Sequence, residues 1–154
     1  MTHWTDMTNR NDSRLPDPMI EAQFYDGVLA KRSFAWIVDV AIITALSVGA
    51  GIATLTIGFF LWPIFFIVIG TLYRVSTLAN RSATWGMRMM GIELRGHDGQ
   101  RFDTTQSILH VLGYYGSMMF VLPMLASIAA MLITDRRQSL TDLVLGSAAI
   151  NRPA

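Results

Sequence analysis

Residues 35–73 read AWIVDVAIITALSVGAGIATLTIGFFLWPIFFIVIGTLY, and the only formal charge among them is Asp39. At 1.5 Å rise per residue, one straight helix of that length would be nearly twice the roughly 30 Å hydrocarbon core of a bilayer. The stretch therefore has to double back. The patch Gly49-Ala50-Gly51 through Thr54, Thr56 and Gly58 is the expected turn, because Gly weakens a helix and Thr can bond its own backbone. Spans are expected near residues 34–53 and 57–76. Pro63 then falls inside the second span, where its missing backbone donor predicts a kink.

Lys31 and Arg32 flank Phe34 and Trp36 at one end of this hairpin, and Tyr73 and Arg74 close the other. That aromatic and basic flanking is the pattern of a cytoplasmic interface, so both ends are expected there. A cytoplasmic loop over 77–106 follows, carrying Arg81, Arg88, Arg95 and Arg101. Within it Ile92–Arg95 alternates, His97-Asp98-Gly99 supplies a turn and Gln100–Asp103 resumes, which predicts a β-hairpin cap.

A third hydrophobic segment, 107–134, carries His110 but no fixed charge, and is interrupted by Gly113-Tyr114-Tyr115-Gly116 and Pro123. Its length suits one crossing, whereas a re-entrant path would return Arg136 and Arg137 to the basic side. Leu143–Ile150 reads as a short strand, and the nearest partner for it is the 92–103 hairpin, which favours return. Residues 1–28 are polar and mixed in charge, with Pro16 and Pro18, and read as a flexible tail. They have no basic lead followed by a short apolar core, so insertion without a cleaved signal is expected. The fold class is thus an all-α integral membrane protein: a transmembrane helical hairpin, a third hydrophobic segment that crosses or re-enters, and a small cytoplasmic β-hairpin cap. Residues 29–150 form its membrane domain.

Composition narrows the function. The 154 residues are 52% hydrophobic and 15% charged, against roughly 25% charged in soluble domains. Eleven Arg and one Lys form no basic run, so nucleic acid is not an expected partner; the lipid bilayer is. Cysteine is absent, and His3, His97 and His110 have no helical partner at ligand spacing, so neither a metal nor a cofactor is expected. Met87, Met89, Met90, Met118, Met119, Met124 and Met131 read as apolar packing rather than soft-metal ligands, since no Cys or His accompanies them. No nucleophile–base pair or phosphate loop is present, which predicts no enzyme and no catalytic residues.

Three charges stand out. Arg32 and Asp39, seven positions apart, share a helix face but lie about 10.5 Å apart along the axis, too far for direct contact. An ionised Asp39 inside the span costs on the order of 2.5–3.5 kcal/mol unless paired or neutralised. It reads either as a proton or cation site, or as a packing acid held by Arg32, Arg88 or a backbone donor. Asp142 is expected at the membrane surface, as a helix cap or ion pair. The small-residue patterns Ser47–Gly51 and Gly113–Ser117 suit oligomerisation and internal packing equally.

Taken together, "KRSFAWIVDV" with Arg32 and Asp39, "TWGMRMMGIELRGHDGQ" with Thr84, Gly86, Arg88, Gly91, Asp98 and Gly99, and "RRQSLTDLVLGS" with Asp142 resemble the RDD family of bacterial membrane proteins. The resemblance covers about residues 25–150. His110 stands where the family often has Arg, and Thr141 where His often precedes the last Asp. His110 would then be a titratable, pH-sensitive substitute for a fixed cation. The resemblance implies a multi-pass protein of the bacterial inner membrane, N-terminus cytoplasmic, with a role in transport of an ion or small ligand. The alternative is a non-transporting scaffold acting through the cytoplasmic Arg-rich face. Three spans are too few for a conventional pathway, so transport would call for a homo-oligomer or a membrane protein partner.

Overall fold

The computed structural model describes residues 13–54 and 60–153. Helix α1 runs over Val28–Ala53 and α2 over Trp62–Arg81. Both are long and apolar enough to cross a membrane. They pack antiparallel: the Tyr73 hydroxyl meets Asp39, and Gly70 faces Ile43. Their outer faces stay apolar and uncovered, with Ile37, Leu46, Ile52, Ile64, Ile67 and Leu72 all exposed. Uncovered apolar surface on this scale marks contact with lipid or protein rather than water.

Helix α1 starts six residues before the expected 34, and α2 runs five residues past the expected 76. Thr54 closes α1, its hydroxyl donating to the Ala50 and Gly51 carbonyls at 3.1 and 3.0 Å. Gly49-Ala50-Gly51, where the expected turn begins, is helical within α1, and residues 55–59 lie outside the described residues. Pro63 departs from expectation: it sits in the first turn of α2, not inside a span. There the missing N–H would have had no helical acceptor, so no kink follows. Pro63→Ala is accordingly expected to change stability by no more than about 0.5 kcal/mol, read as the thermal midpoint in detergent.

The third apolar segment forms two helices, α4 (Thr104–Met119) and α5 (Val121–Ile133), bent by 117° at Phe120. The break is not at Gly113–Gly116, which are helical. It falls three residues before Pro123, placing that residue in the first turn of a new helix, where its ring meets no preceding helical carbonyl. The pair is either one broken span or a re-entrant loop.

Helix α3 (Trp85–Met89) lies between α2 and strand β1 (Ile92–Arg95). Helix α6 (Leu140–Leu145) precedes strand β2 (Ala148–Asn151). The strands pair antiparallel, with Leu94 opposite Ala149 and Glu93 opposite Ile150. The expected 92–103 hairpin is thus replaced by a long-range pair, and only a single bridge, Arg95 to Arg101, remains of it. The backbone N–H of Phe102 instead donates to the Ser82 hydroxyl at 2.7 Å. The expected strand over 143–150 is divided at Gly146 (φ 65°), because Ser139 caps a helix that the left-handed Gly ends.

The sheet explains why residues 13–27 do not behave as the expected tail. One of its faces joins Ile92, Leu94 and Ala149 to Val28, Ala35, Leu78, Phe102 and Val111. The other presents Ala148 and Ile150, which need cover, and Leu15 and Tyr25 supply it. The Tyr25 hydroxyl donates to the Pro16 carbonyl at 2.8 Å, and the Arg14 N–H to the His97 carbonyl at 2.9 Å. Residues 1–12 of that tail lie outside the described residues.

Candidate functional site

Near the sheet end of the helices, α6 brings one carboxylate under the N-terminal turns of α1 and α4. Ser139 and Asp142 form a capping box: the serine hydroxyl accepts from the Asp142 N–H, and the carboxylate accepts from the Ser139 N–H at 3.0 Å. The same carboxylate accepts from the hydroxyls of Ser139 at 2.8 Å and Ser147 at 3.1 Å. Arg32 Nη2 lies 2.7 Å from it, and His110 Nδ1 3.5 Å. The helix cap and ion pair expected of Asp142 are both present, but the residue is wholly buried inside the fold rather than exposed on the protein's surface. The cap and ion pair hold it inside the fold, tying α1 and α4 to α6.

Burial raises the Asp142 pKa, but Arg32, His110 and the Ser139 donors outweigh it and hold the carboxyl below its usual value. A folded-state pKa below the unfolded one contributes stability that is present above the unfolded value, about 3.9, and lost as pH falls through the folded one. The thermal midpoint in detergent is expected to fall more steeply below about pH 4 in wild type than in Asp142→Asn. Equal slopes would show that Asp142 is not held ionised.

Asp39 has a different environment. It accepts from the Tyr73 hydroxyl at 2.7 Å, the Thr84 hydroxyl at 2.5 Å and the Gly86 N–H at 2.9 Å. The backbone donor, one of the three partners weighed for it, is present; Arg32 is paired with Asp142 instead, and Arg88 stacks on Trp85. Gly86 reaches Asp39 because it has no side chain: a Cβ there would lie 2.2 Å from the Ala35 carbonyl oxygen. Thr84 also caps α3, accepting from the Met87 N–H. Gly91 and Gly99 adopt left-handed turns (φ 71° and 72°), and Asp98 accepts from the Gln100 N–H at 3.0 Å. The motif loop thus splits: Thr84 and Gly86 join the Asp39 cluster, while Gly91, Asp98 and Gly99 shape the cap.

Several participants were not singled out by sequence as site residues, Arg74 and Trp36 having been read only as interface markers. Glu93 is buried among Arg95, Arg101 (3.7 Å) and Arg152 (3.6 Å), which puts a carboxylate at the centre of the Arg-rich cap. Arg74 is buried beneath the Tyr114 ring, 4.5 Å from its centroid. Trp36 Nε1 donates to the Tyr114 hydroxyl at 2.8 Å. Arg32, Arg74, Asp39 and His110 together line one end of a cavity of about 560 Å³ between α1, α2, α4 and α5, and Met118, Met124 and Ile128 line its apolar remainder. That volume lies in the range of small-molecule sites, about 300–1,000 Å³.

The model of the RDD family matches residues 27–146, more than three quarters of the chain. No curated protein and no solved structure matches.

Proposed function

Since the chain belongs to the RDD family, a family of membrane proteins, we propose that it holds a small ligand in the cavity between its helices and takes part in moving that ligand across the membrane. The observation that carries this reading is the cavity itself, roofed by charged groups and walled by apolar helix faces. Of the two cargoes the sequence left open, a small ligand fits better than a proton or metal cation. Both oxygens of Asp39 are already engaged by three donors, and the Asp142 carboxylate is closed by Arg32 and the Ser139 cap.

The proposed setting is the bacterial inner membrane with a cytoplasmic N-terminus, since Arg81, Arg88, Arg95 and Arg101 all belong to the sheet end of the hairpin. Two spans, or three if the bent pair crosses, are few for a pathway, so the working unit is proposed to be a homo-oligomer or a complex with another membrane protein.

The absence of cysteine provides a clean background for a test. Met124→Cys places one thiol on the cavity wall. In vesicles of defined orientation, a membrane-impermeant maleimide is expected to label it from either face in turn, as alternating exposure requires. Labelling from one face alone would remove transport and favour the non-transporting alternative.

A further inference from the structure

Arg74 is 9% exposed and lies in the last two turns of α2. Among the described residues no carboxylate comes within 4.0 Å of it, and its Nε has no hydrogen-bond partner. Its contacts are the Tyr114 ring and a long 3.5 Å approach to the Tyr114 hydroxyl. A buried guanidinium without an anion is strongly unfavourable, because desolvation is not offset. Arg32 repeats the pattern in part: Nη2 pairs with Asp142, while Nη1 is buried and unpartnered. Both arginines line the same cavity, and both lie within electrostatic reach of His110. Asp39 also lines it but directs its oxygens to Tyr73, Thr84 and Gly86.

The rest of the wall has the opposite character. Met118 lies eight residues beyond His110 on α4, about 12 Å along the axis. With Met124, Ile128 and Met131 it makes an apolar wall, lined by side chains that adapt to an irregular occupant.

Resting on the reading of this cavity as a ligand site, we propose that its occupant is an anionic amphiphile, with one carboxylate or phosphate headgroup on an apolar chain. The headgroup takes the free N–H groups of Arg74 and Arg32 and serves as the missing counter-ion. The chain lies along Met118, Met124 and Ile128. Planar guanidinium donors suit either headgroup, since both offer paired oxygens.

The test uses the full chain purified in dodecyl maltoside, with four probes: tetradecanoate, tetradecan-1-ol, acetate and inorganic phosphate. Native mass spectrometry counts bound molecules, and the thermal midpoint reports stabilisation. Tetradecanoate is expected to bind one per chain and raise the midpoint, with tetradecan-1-ol weaker by about tenfold or more. Arg74→Gln is expected to weaken tetradecanoate by about tenfold or more while leaving tetradecan-1-ol unchanged. Arg88→Gln, which removes the same charge outside the cavity, should leave both unchanged. Acetate or phosphate acting as strongly as tetradecanoate would overturn the amphiphile in favour of a free anion. Tetradecan-1-ol binding equally well would overturn the anion while leaving a ligand cavity. Failure of all four probes would overturn both readings.

Arg74→Gln without ligand is expected to melt no lower than wild type, because it removes a charge that has no carboxylate. A merely structural Arg74 would lower that midpoint. Should the variant not fold, Met124→Trp, which fills space along the apolar wall and keeps both arginines, must weaken tetradecanoate by about tenfold or more. Unchanged binding there would overturn the proposal.

Discussion

Asp142→Ala is expected to cost about 3–5 kcal/mol of fold stability, measured by unfolding in detergent. The substitution leaves the Arg32 guanidinium buried without its carboxylate, and one of its nitrogens has no partner even in wild type. It also takes the acceptor from the Ser139 N–H and from the hydroxyls of Ser139 and Ser147. Removing one partner of a buried pair is far worse than removing both, because the charge left behind stays desolvated. Arg32→Met combined with Asp142→Leu is therefore expected to recover the part of the loss that comes from the stranded Arg32 charge, but not the part from the three donors. A change under about 1 kcal/mol in Asp142→Ala would mean that water reaches Arg32 and that the pair does not hold α1 to α6.

Asp39→Ala is expected to cost on the order of 3 kcal/mol or more, because a hydroxyl of Tyr73, a hydroxyl of Thr84 and the Gly86 N–H lose their common acceptor inside the fold. Asp39→Asn should cost only about 1 kcal/mol. Its amide oxygen still accepts from Tyr73 and Gly86, and its NH₂ turns to the Thr84 oxygen. The two substitutions separate packing from ion coupling. If Asp39 exchanged a proton or a cation, Asn would preserve the fold and abolish proton or sodium flux in proteoliposomes. Flux that vanishes in a stable Asp39→Asn protein would contradict the packing role given to this residue.

What was legible in the sequence follows from which interactions are local. The two long helices emerge from the length of the uncharged stretch and the small residues near Gly49–Gly58, both of them properties of consecutive residues. Pro63 was misplaced because the start of the second span was set by the Gly- and Thr-containing patch before it; a proline immediately before the apolar run Ile64–Ile69 is equally a helix start. Asp98-Gly99 forms its turn, yet the strand after it does not form, since the partner of β1 comes from Ala148–Asn151 and nothing in residues 92–103 encodes that choice. The return of the C-terminal segment to this sheet was legible, through the need of an apolar strand for a partner. Its division at Gly146 was signalled by Ser139-x-x-Asp142, a serine cap with an acid three residues on.

The site was legible in its members more than in its pairings. Arg32, Asp39, Asp142 and His110 all belong to the buried charge clusters, but the helix face shared by Arg32 and Asp39 conceals that each binds elsewhere. Arg74 was read as an interface marker, because a basic residue at the end of a span ordinarily reaches water. The Tyr114 ring, from a distant segment, stacks on it.

The most direct test is whether the cavity is occupied in the protein as cells make it. Full-length wild type and Met124→Trp would be purified gently from membranes, and native mass spectrometry would compare what stays bound. Expected is a small molecule of constant mass on wild type, released on unfolding and absent from the filled variant. Wild type carrying nothing, or both proteins carrying the same adduct, would contradict a ligand site between these helices.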